Sequence, residues 1–206
     1  MRWVSAMMAL GVATCASAGA QDAPSAPSSS DPPGSDVARE VERPSIVDVD
    51  VVWPTASIDT VALAALSEQA RSVIATSPVP ALVVAEGALL ASAVVMAKSR
   101  WYAVSARADG VVVSLHASRA AHRYPNLPRA EGKQSVRGLP AFVTQNEQIW
   151  SAAWIEGGVA YSLELECVSL PDARCADDAH LMSLASRLVY VGGNANGGSA
   201  DVGGSR

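Results

Sequence analysis

One phenylalanine, two lysines and three histidines are all that 206 residues offer of those types, and each shortage closes off a reading. Phe142 stands alone, so Ala, Val and Leu must fill a core in a chain that is 50% hydrophobic but only 5% aromatic. Lys98 and Lys133 are the only lysines, and the formal net charge is −5. A nucleic-acid surface needs clustered Lys and Arg, so an acidic, lysine-poor chain argues against such a partner. The strong use of Arg over Lys, with abundant Ala, suggests a GC-rich bacterial genome.

Catalytic motifs are missing as well. G-x-S-x-G, S-x-x-K, the G-x-x-x-x-G-K-[ST] phosphate loop and H-E-x-x-H do not occur. His116 and His122 share parity along an extended chain, yet six residues of strand span about 20 Å, too far to ligate one metal together. His180 has neither near it in sequence. All three read as ordinary surface histidines. Glu164 and Glu166 read as the wet edge of a hairpin, and Asp177-Asp178 as a helix cap. No cofactor and no metal are expected.

The start of the chain reads as a secretory signal peptide over residues 1–20. Arg2 supplies the positive end, Trp3 to Cys15 is uncharged and apolar or small, and Ala18-Gly19-Ala20 offers the small residues that precede cleavage. Ala16-Ser17-Ala18 is a second site. An uncleaved spanning helix would need about 20 apolar residues, more than this run holds. Val12-Ala13-Thr14-Cys15 resembles a bacterial lipobox, with Thr14 and Val12 departing from it, so lipidation at Cys15 is the alternative to removal. Loss of Arg2 takes the charge from −5 to −6, and Asp22, Asp31, Asp36, Glu40 and Glu42 gather acid behind a new N-terminus at Gln21.

About 185 residues then remain, enough for one domain with tails. Residues 21–45 are rich in Pro, Ser and Asp and read as a disordered tether. Residues 192–206, dominated by Gly, Asn and Ser, read as a disordered tail. The folded domain is expected at 46–191.

Within it, Ile46 to Val52 reads as a strand. Ser57 is placed to cap a helix running to about Ala75, with Leu63, Leu66, Ala70, Val73 and Ile74 on one stripe. The apolar run from Ala81 to Ala97 is broken by Glu86-Gly87 and is short for a membrane span. Two buried strands, or a strand and a short helix, suit it better. Trp101–Ala108 and Val111–Ser118 flank Asp109-Gly110, a strong hairpin turn. Ile149–Ile155 and Val159–Glu166 flank Glu156-Gly157-Gly158. In the latter strand Val159, Tyr161, Leu163, Leu165 and Cys167 line one face, as expected for an antiparallel sheet wet on one side. A last helix is expected from Asp177 or Asp178 to Val189. The fold class is therefore α+β: an antiparallel sheet built from hairpins, with two or more helices packed on one face.

Two internal echoes are visible. Gly110-Val-Val-Val-Ser-Leu115 matches Gly158-Val-Ala-Tyr-Ser-Leu163, and Pro80-Ala-Leu-Val83 matches Pro140-Ala-Phe-Val143. Their offsets differ, and they hint at two similar half-domains.

If Cys15 is removed, Cys167 and Cys175 form an even pair in an exported chain, which reads as a disulfide closed through the Pro171-Asp172 turn. Trp101, Tyr102, Trp150 and Trp154 are candidates for an aromatic binding surface, with core packing the competing use.

From Val136 to Leu188, about a quarter of the chain, the order of features resembles small exported bacterial domains found with anti-sigma regulators and envelope lipoproteins. The matching residues are Val136-Arg137-Gly138 with Ala141, Trp154-Ile-Glu-Gly-Gly158, Tyr161-Ser-Leu163 and Leu184-Ala-Ser-Arg-Leu188. The resemblance implies a binding or sensing domain and carries over no catalytic residue. The expected function is thus a non-enzymatic periplasmic or envelope-associated interaction domain, with an unknown envelope protein or apolar ligand as partner and no transmembrane helix in the mature chain. The alternatives are a carrier of an apolar ligand or lipid in a cavity between sheet and helices, and a hydrolase with an unrecognised site. Intact mass of the exported product is expected to match a chain beginning at Gln21; a diacylated chain beginning at Cys15 would replace cleavage by lipid anchoring.

Overall fold

Alternation of apolar and polar residues over eight- and nine-residue stretches builds most of this molecule. The computed structural model describes residues 45–123 and 130–195. The signal peptide, Cys15 and nearly all of the tether lie outside the described residues, as does the tail beyond Ala195.

The strands are β1 (Ser45–Asp48), β2 (Ala81–Val84), β3 (Val94–Lys98), β4 (Trp101–Ala108), β5 (Val111–Ser118), β6 (Ala120–Arg123), β7 (Gln134–Val136), β8 (Leu139–Asn146), β9 (Ile149–Glu156), β10 (Val159–Cys167) and β11 (Leu188–Gly192). The helices are α1 (Thr60–Ala65), α2 (Glu68–Ile74), α3 (Gly87–Ser92) and α4 (Ala179–Ala185). Seven strands form one antiparallel sheet in the order β3-β4-β5-β10-β9-β8-β7. β2 and β11 form a second, two-stranded sheet, and β1 pairs with β6. The α+β class and both expected hairpins are present.

The 48-residue echo turns out to be topological. Trp101–Ala108 is followed 48 residues later by Ile149–Glu156, and ladder pairs move with it. Ala108 opposite Val111 becomes Glu156 opposite Val159, and Lys98 opposite Trp101 becomes Asn146 opposite Ile149. The meanders β3-β4-β5 and β8-β9-β10 are therefore equivalent. They join antiparallel through β5 and β10, and the pseudo-twofold axis passes where Leu115 faces Leu163. The second echo does not survive. Pro80–Val83 leads into β2 of the small sheet, whereas Pro140–Val143 lies in β8 of the large one.

Several boundaries are corrected. The helix expected from Ser57 to Ala75 is two helices, because Leu66 is extended (ψ 154°) and the Ser67 hydroxyl accepts from Ala70 N–H, starting afresh. Asp59, not Ser57, caps the first through Ala62 N–H at 2.8 Å. Arg71 donates to the carbonyls of Leu66 and Ala64, which that break leaves without helical partners. The run from Ala81 to Ala97 holds strand, helix and strand. The last helix stops at Ala185, and Leu188–Gly192 becomes β11, because an isolated β2 would leave its backbone unpaired in the core. The first strand ends at Asp48; beyond it Val52 N–H donates to Gly157 O at 2.8 Å. Gly157 and Gly158 have φ of 58° and 84°, and a Cβ on either would overlap the Val52 or Asp50 carbonyl. Ser45 belongs to β1 rather than to the tether. Gly192 closes β11 and Asn194 N–H donates to Ser77 O, so the ordered chain runs past residue 191.

The small sheet lies on the inner face of the large one, held there by two phenols. Tyr102, 0% exposed, accepts from Leu82 N–H (2.7 Å) and donates to Leu82 O (3.0 Å). One hydroxyl thus satisfies both backbone groups that Leu82 turns away from β11. Tyr161 donates to Pro80 O at 2.8 Å. Burial pushes both phenols far above the ordinary tyrosine range. The folded state therefore holds these protons more tightly than the unfolded chain, and stability present below about pH 10 is lost as pH rises beyond it. Tyr102→Phe is expected to lower stability at pH 7 by about 2–4 kcal/mol, since it leaves two buried backbone groups unpaired. Its loss of stability between pH 9 and pH 11 (roughly the range spanning the free tyrosine pKa) should be shallower than wild type but not flat, because Tyr161 remains; urea unfolding at both pH values measures this.

Candidate functional site

Two faces of the large sheet compete for a site, and packing decides between them. On the inner face, Val104, Val113, Leu115, Leu163 and Leu165 meet Leu89, Leu90, Leu181 and Leu184 from the helices in one buried cluster. The space left there, between α3, β2 and the sheet, is about 20 Å³. That is about the room one water molecule requires, against about 300–1,000 Å³ for a small-molecule pocket. The cavity that the alternative carrier reading needs between sheet and helices is not formed at this place, where Val and Leu side chains fill the space.

The outer face is different. Its centre carries small or polar residues: Ala103, His116, Ser162 and Ala153 lie side by side across β4, β5, β10 and β9. Towards β8 and β9, Phe142 and Ile155 stand 47% and 47% exposed. Phe142 faces Ala153 and Ile155 faces Ala160 in register. Two alanines between two large apolar side chains make a groove of about 390 Å³, completed by Pro140 and walled by Ala130, Glu131 and Gly132. Gly132 permits this wall: its backbone lies so close over Ala141 and Phe142 that a Cβ would overlap them. The equivalent positions in the first meander are Val94, Ser105, Arg107 and Val112. The two halves differ here: in the second, Ala replaces Ser and Val on the floor and Ile replaces Arg on the wall.

The aromatic residues expected as one surface are divided by strand alternation. Trp101 is half-buried on the outer side of β4, while Tyr102 next to it points into the core. Trp154, 3% exposed, stacks on Tyr161 with ring centroids 5.2 Å apart and donates to Glu156 Oε2 at 3.3 Å. Trp150 donates to Cys175 O at 3.0 Å. Tyr102, Trp150 and Trp154 are thus committed to internal contacts. Glu156 also receives Arg137 in a two-pronged pair (2.9 and 3.1 Å), and Arg137 Nη1 donates to Leu188 O, fastening the β7–β8 turn to β11.

The polar candidates lie on several elements, and two share the outer face: Glu164 stands two residues along β10 from Ser162, which faces His116. His116 lies exposed on β5, His122 on β6 opposite Ile46, and His180 on α4. Glu164 and Glu166 lie on the outer side of β10, Glu164 opposite Ser114 and Ser151. Asp177 accepts from Ala179 N–H at 3.0 Å at the start of α4. Among the described residues no three His, Cys, Asp or Glu side chains gather where a metal could sit, and no helix is long and apolar enough to cross a membrane. The groove residues Phe142, Ala153, Ile155 and Ala160 were not evident from sequence motifs. The available signal was the wet face of the hairpin, where Ile155 breaks the polar alternation.

Cys167 and Cys175 form the expected disulfide, with Cα atoms 6.2 Å apart. It ties the end of β10 to a 3-10 turn, Ala173–Cys175, just before α4. Asp172 caps that turn, accepting from Arg174 N–H and from its guanidinium at 3.0 and 2.7 Å. The Arg174 hydrogen bonds hold the Asp172 carboxyl down at about 2.

Comparison of the chain with protein-family models, with curated proteins and with solved structures finds no match.

Replacing both cysteines by alanine is expected to lower unfolding free energy by about 2–3 kcal/mol, the entropy of closing so short a loop. Equilibrium denaturation checks the loss, and retained Trp150 fluorescence would show that the Asp172–Arg174 turn still holds the loop.

Proposed function

We propose that this chain is an exported, non-enzymatic interaction domain of the bacterial envelope that engages a partner protein through the outer groove of its sheet. The observation that carries this reading is the groove itself: Phe142 and Ile155 exposed over an Ala153/Ala160 floor, where the pseudo-equivalent strip carries Val94, Ser105, Arg107 and Val112. Large apolar side chains left in water beside a formed pocket are the usual mark of a contact surface. A volume of about 390 Å³ suits one or two large apolar side chains of a partner.

Export rests on the signal-like segment 1–20, and the Cys167–Cys175 disulfide supports it, since such bonds persist outside the reducing cytosol. Whether Cys15 carries lipid decides between an anchored and a released domain within the same reading. The reading without catalysis rests on the sequence, which carries none of the catalytic motifs sought. A lipid carried inside the domain has less support, given the filled inner face.

The internal symmetry supplies its own control. A photo-crosslinking residue at Phe142 or Ile155 is expected to capture a specific envelope protein in the producing cells, whereas the same residue at Val94 or Arg107, the equivalent positions, captures none. Ile155→Asp should weaken recovery by at least about tenfold, the worth of burying one such side chain. Equal capture from both halves, or capture of nothing at all four positions, would defeat the reading.

A further inference from the structure

We propose that the uncovered edge of β8 is a pairing site for the same edge of a second copy of this chain, giving a two-fold dimer with a continuous sheet. β8 is eight residues long, but β7 covers only its start, through Leu139, Pro140 and Ala141. Beyond Gln134 the covering chain leaves the ladder, and Gly132 lies against the Ala141–Phe142 peptide as part of the wall of the outer groove. The two-residue turn at Arg137-Gly138 (φ 54° and 80°) makes Val136 and Leu139 a hydrogen-bonded pair. Alternation then directs the N–H and C=O of Val143 and Gln145 away from β9, and no described residue pairs with them.

The pseudo-symmetry shows that this edge differs from its counterpart. β3 is the equivalent strand in the first meander, and α2 lies against it. Among the described residues no helix packs against β8 to a comparable extent. Natural edges are blunted by lysine, proline, bulges or a cover, yet Phe142-Val-Thr-Gln-Asn146 contains none of these.

Charge favours self-pairing over random association. Antiparallel pairing about a dyad at Thr144 sets Val143 against Gln145 of the second copy, an exchange of paired hydrogen bonds with no like charges opposed. Lys133 lies at the Phe142 end of the stretch and Glu147 at the Asn146 end. Antiparallel pairing brings the Lys133 end of each copy to the Glu147 end of the other. The inference needs neither export nor the groove.

Sedimentation equilibrium of the mature chain, run up to about 1 mM protein, is expected to show a monomer–dimer equilibrium. The amides of Val143 and Gln145 should gain hydrogen-exchange protection as concentration rises. Thr144→Lys, which sets two ammonium groups together at the dyad, should raise the dimer Kd by about fivefold at low salt. Thr144→Glu should do the same, and an equimolar mixture of the two variants should restore dimer. A monomer throughout the range, or a dimer whose Val143 and Gln145 amides exchange as fast as in the monomer, would overturn the proposal, and neither readout depends on the variants folding. A dimer that forms undiminished with Thr144→Lys would overturn it as well.

Discussion

The pairing of β5 with β10 is the contact on which everything else in the domain rests. Each meander alone is a three-stranded sheet of about 25 residues, below the roughly 40 at which a chain commonly folds without further support. Joined antiparallel at Leu115 and Leu163, they make a surface wide enough for four helices and a second small sheet. Both leucines are buried, at 3% and 0% exposure, at the middle of the core. The shared 48-residue spacing of strands and turns explains how two separate stretches reach matching lengths and register. They have one backbone plan, used twice.

That plan fills one face and frees the other. Period-two alternation sends Val, Leu and Tyr inward from the central strands, where α3, α4, β2 and β11 consume them. Tyr102 and Tyr161 go further, using their hydroxyls to satisfy β2 in a place no strand can reach. These residues, with Trp150 and Trp154, resemble a recognition surface in composition, but their polar ends are all occupied within the fold. An aromatic with a hydrogen-bonding tip serves a dry interior as well as it serves a wet interface.

Difference between the halves lies on the outer face, where packing places few demands. Val94, Ser105, Arg107 and Val112 in one half correspond to Phe142, Ala153, Ile155 and Ala160 in the other. Smaller residues on the floor and larger apolar ones on the walls convert a flat strip into a groove. The 130–132 segment closes one side of it. The edge strands differ likewise, β3 lying beside α2 while, among the described residues, β8 is unpaired on its outer edge past Ala141. Both contrasts lie on the same side of the pseudo-axis, in the second meander, although β3 of the first also exposes Val94 and Met96.

Hairpins were legible in the chain because Asp109-Gly110 and Gly157-Gly158 impose local backbone geometry and the flanking alternation fixes which face is wet. The disulfide was legible for a similar reason: Pro171-Asp172 turns the chain within a short loop, whatever the remainder does. The helix break at Leu66-Ser67 was harder to see, since the apolar stripe continues through it and only the competition of Ser67 for Ala70 N–H interrupts the turn. β11 was read as helix because Leu184 and Leu188 keep helical spacing; its strand state comes from β2, distant in sequence, which needs a partner. The amino-acid sequence by itself thus determined the α+β class, the central hairpins, the disulfide and the inward set of residues, all consequences of short-range periodicity and turn chemistry. Tertiary structure alone decided which aromatics are buried, that the interior is filled, and that a groove and an open edge lie over β8, because these depend on what lands opposite a given face, and long-range pairing sets that.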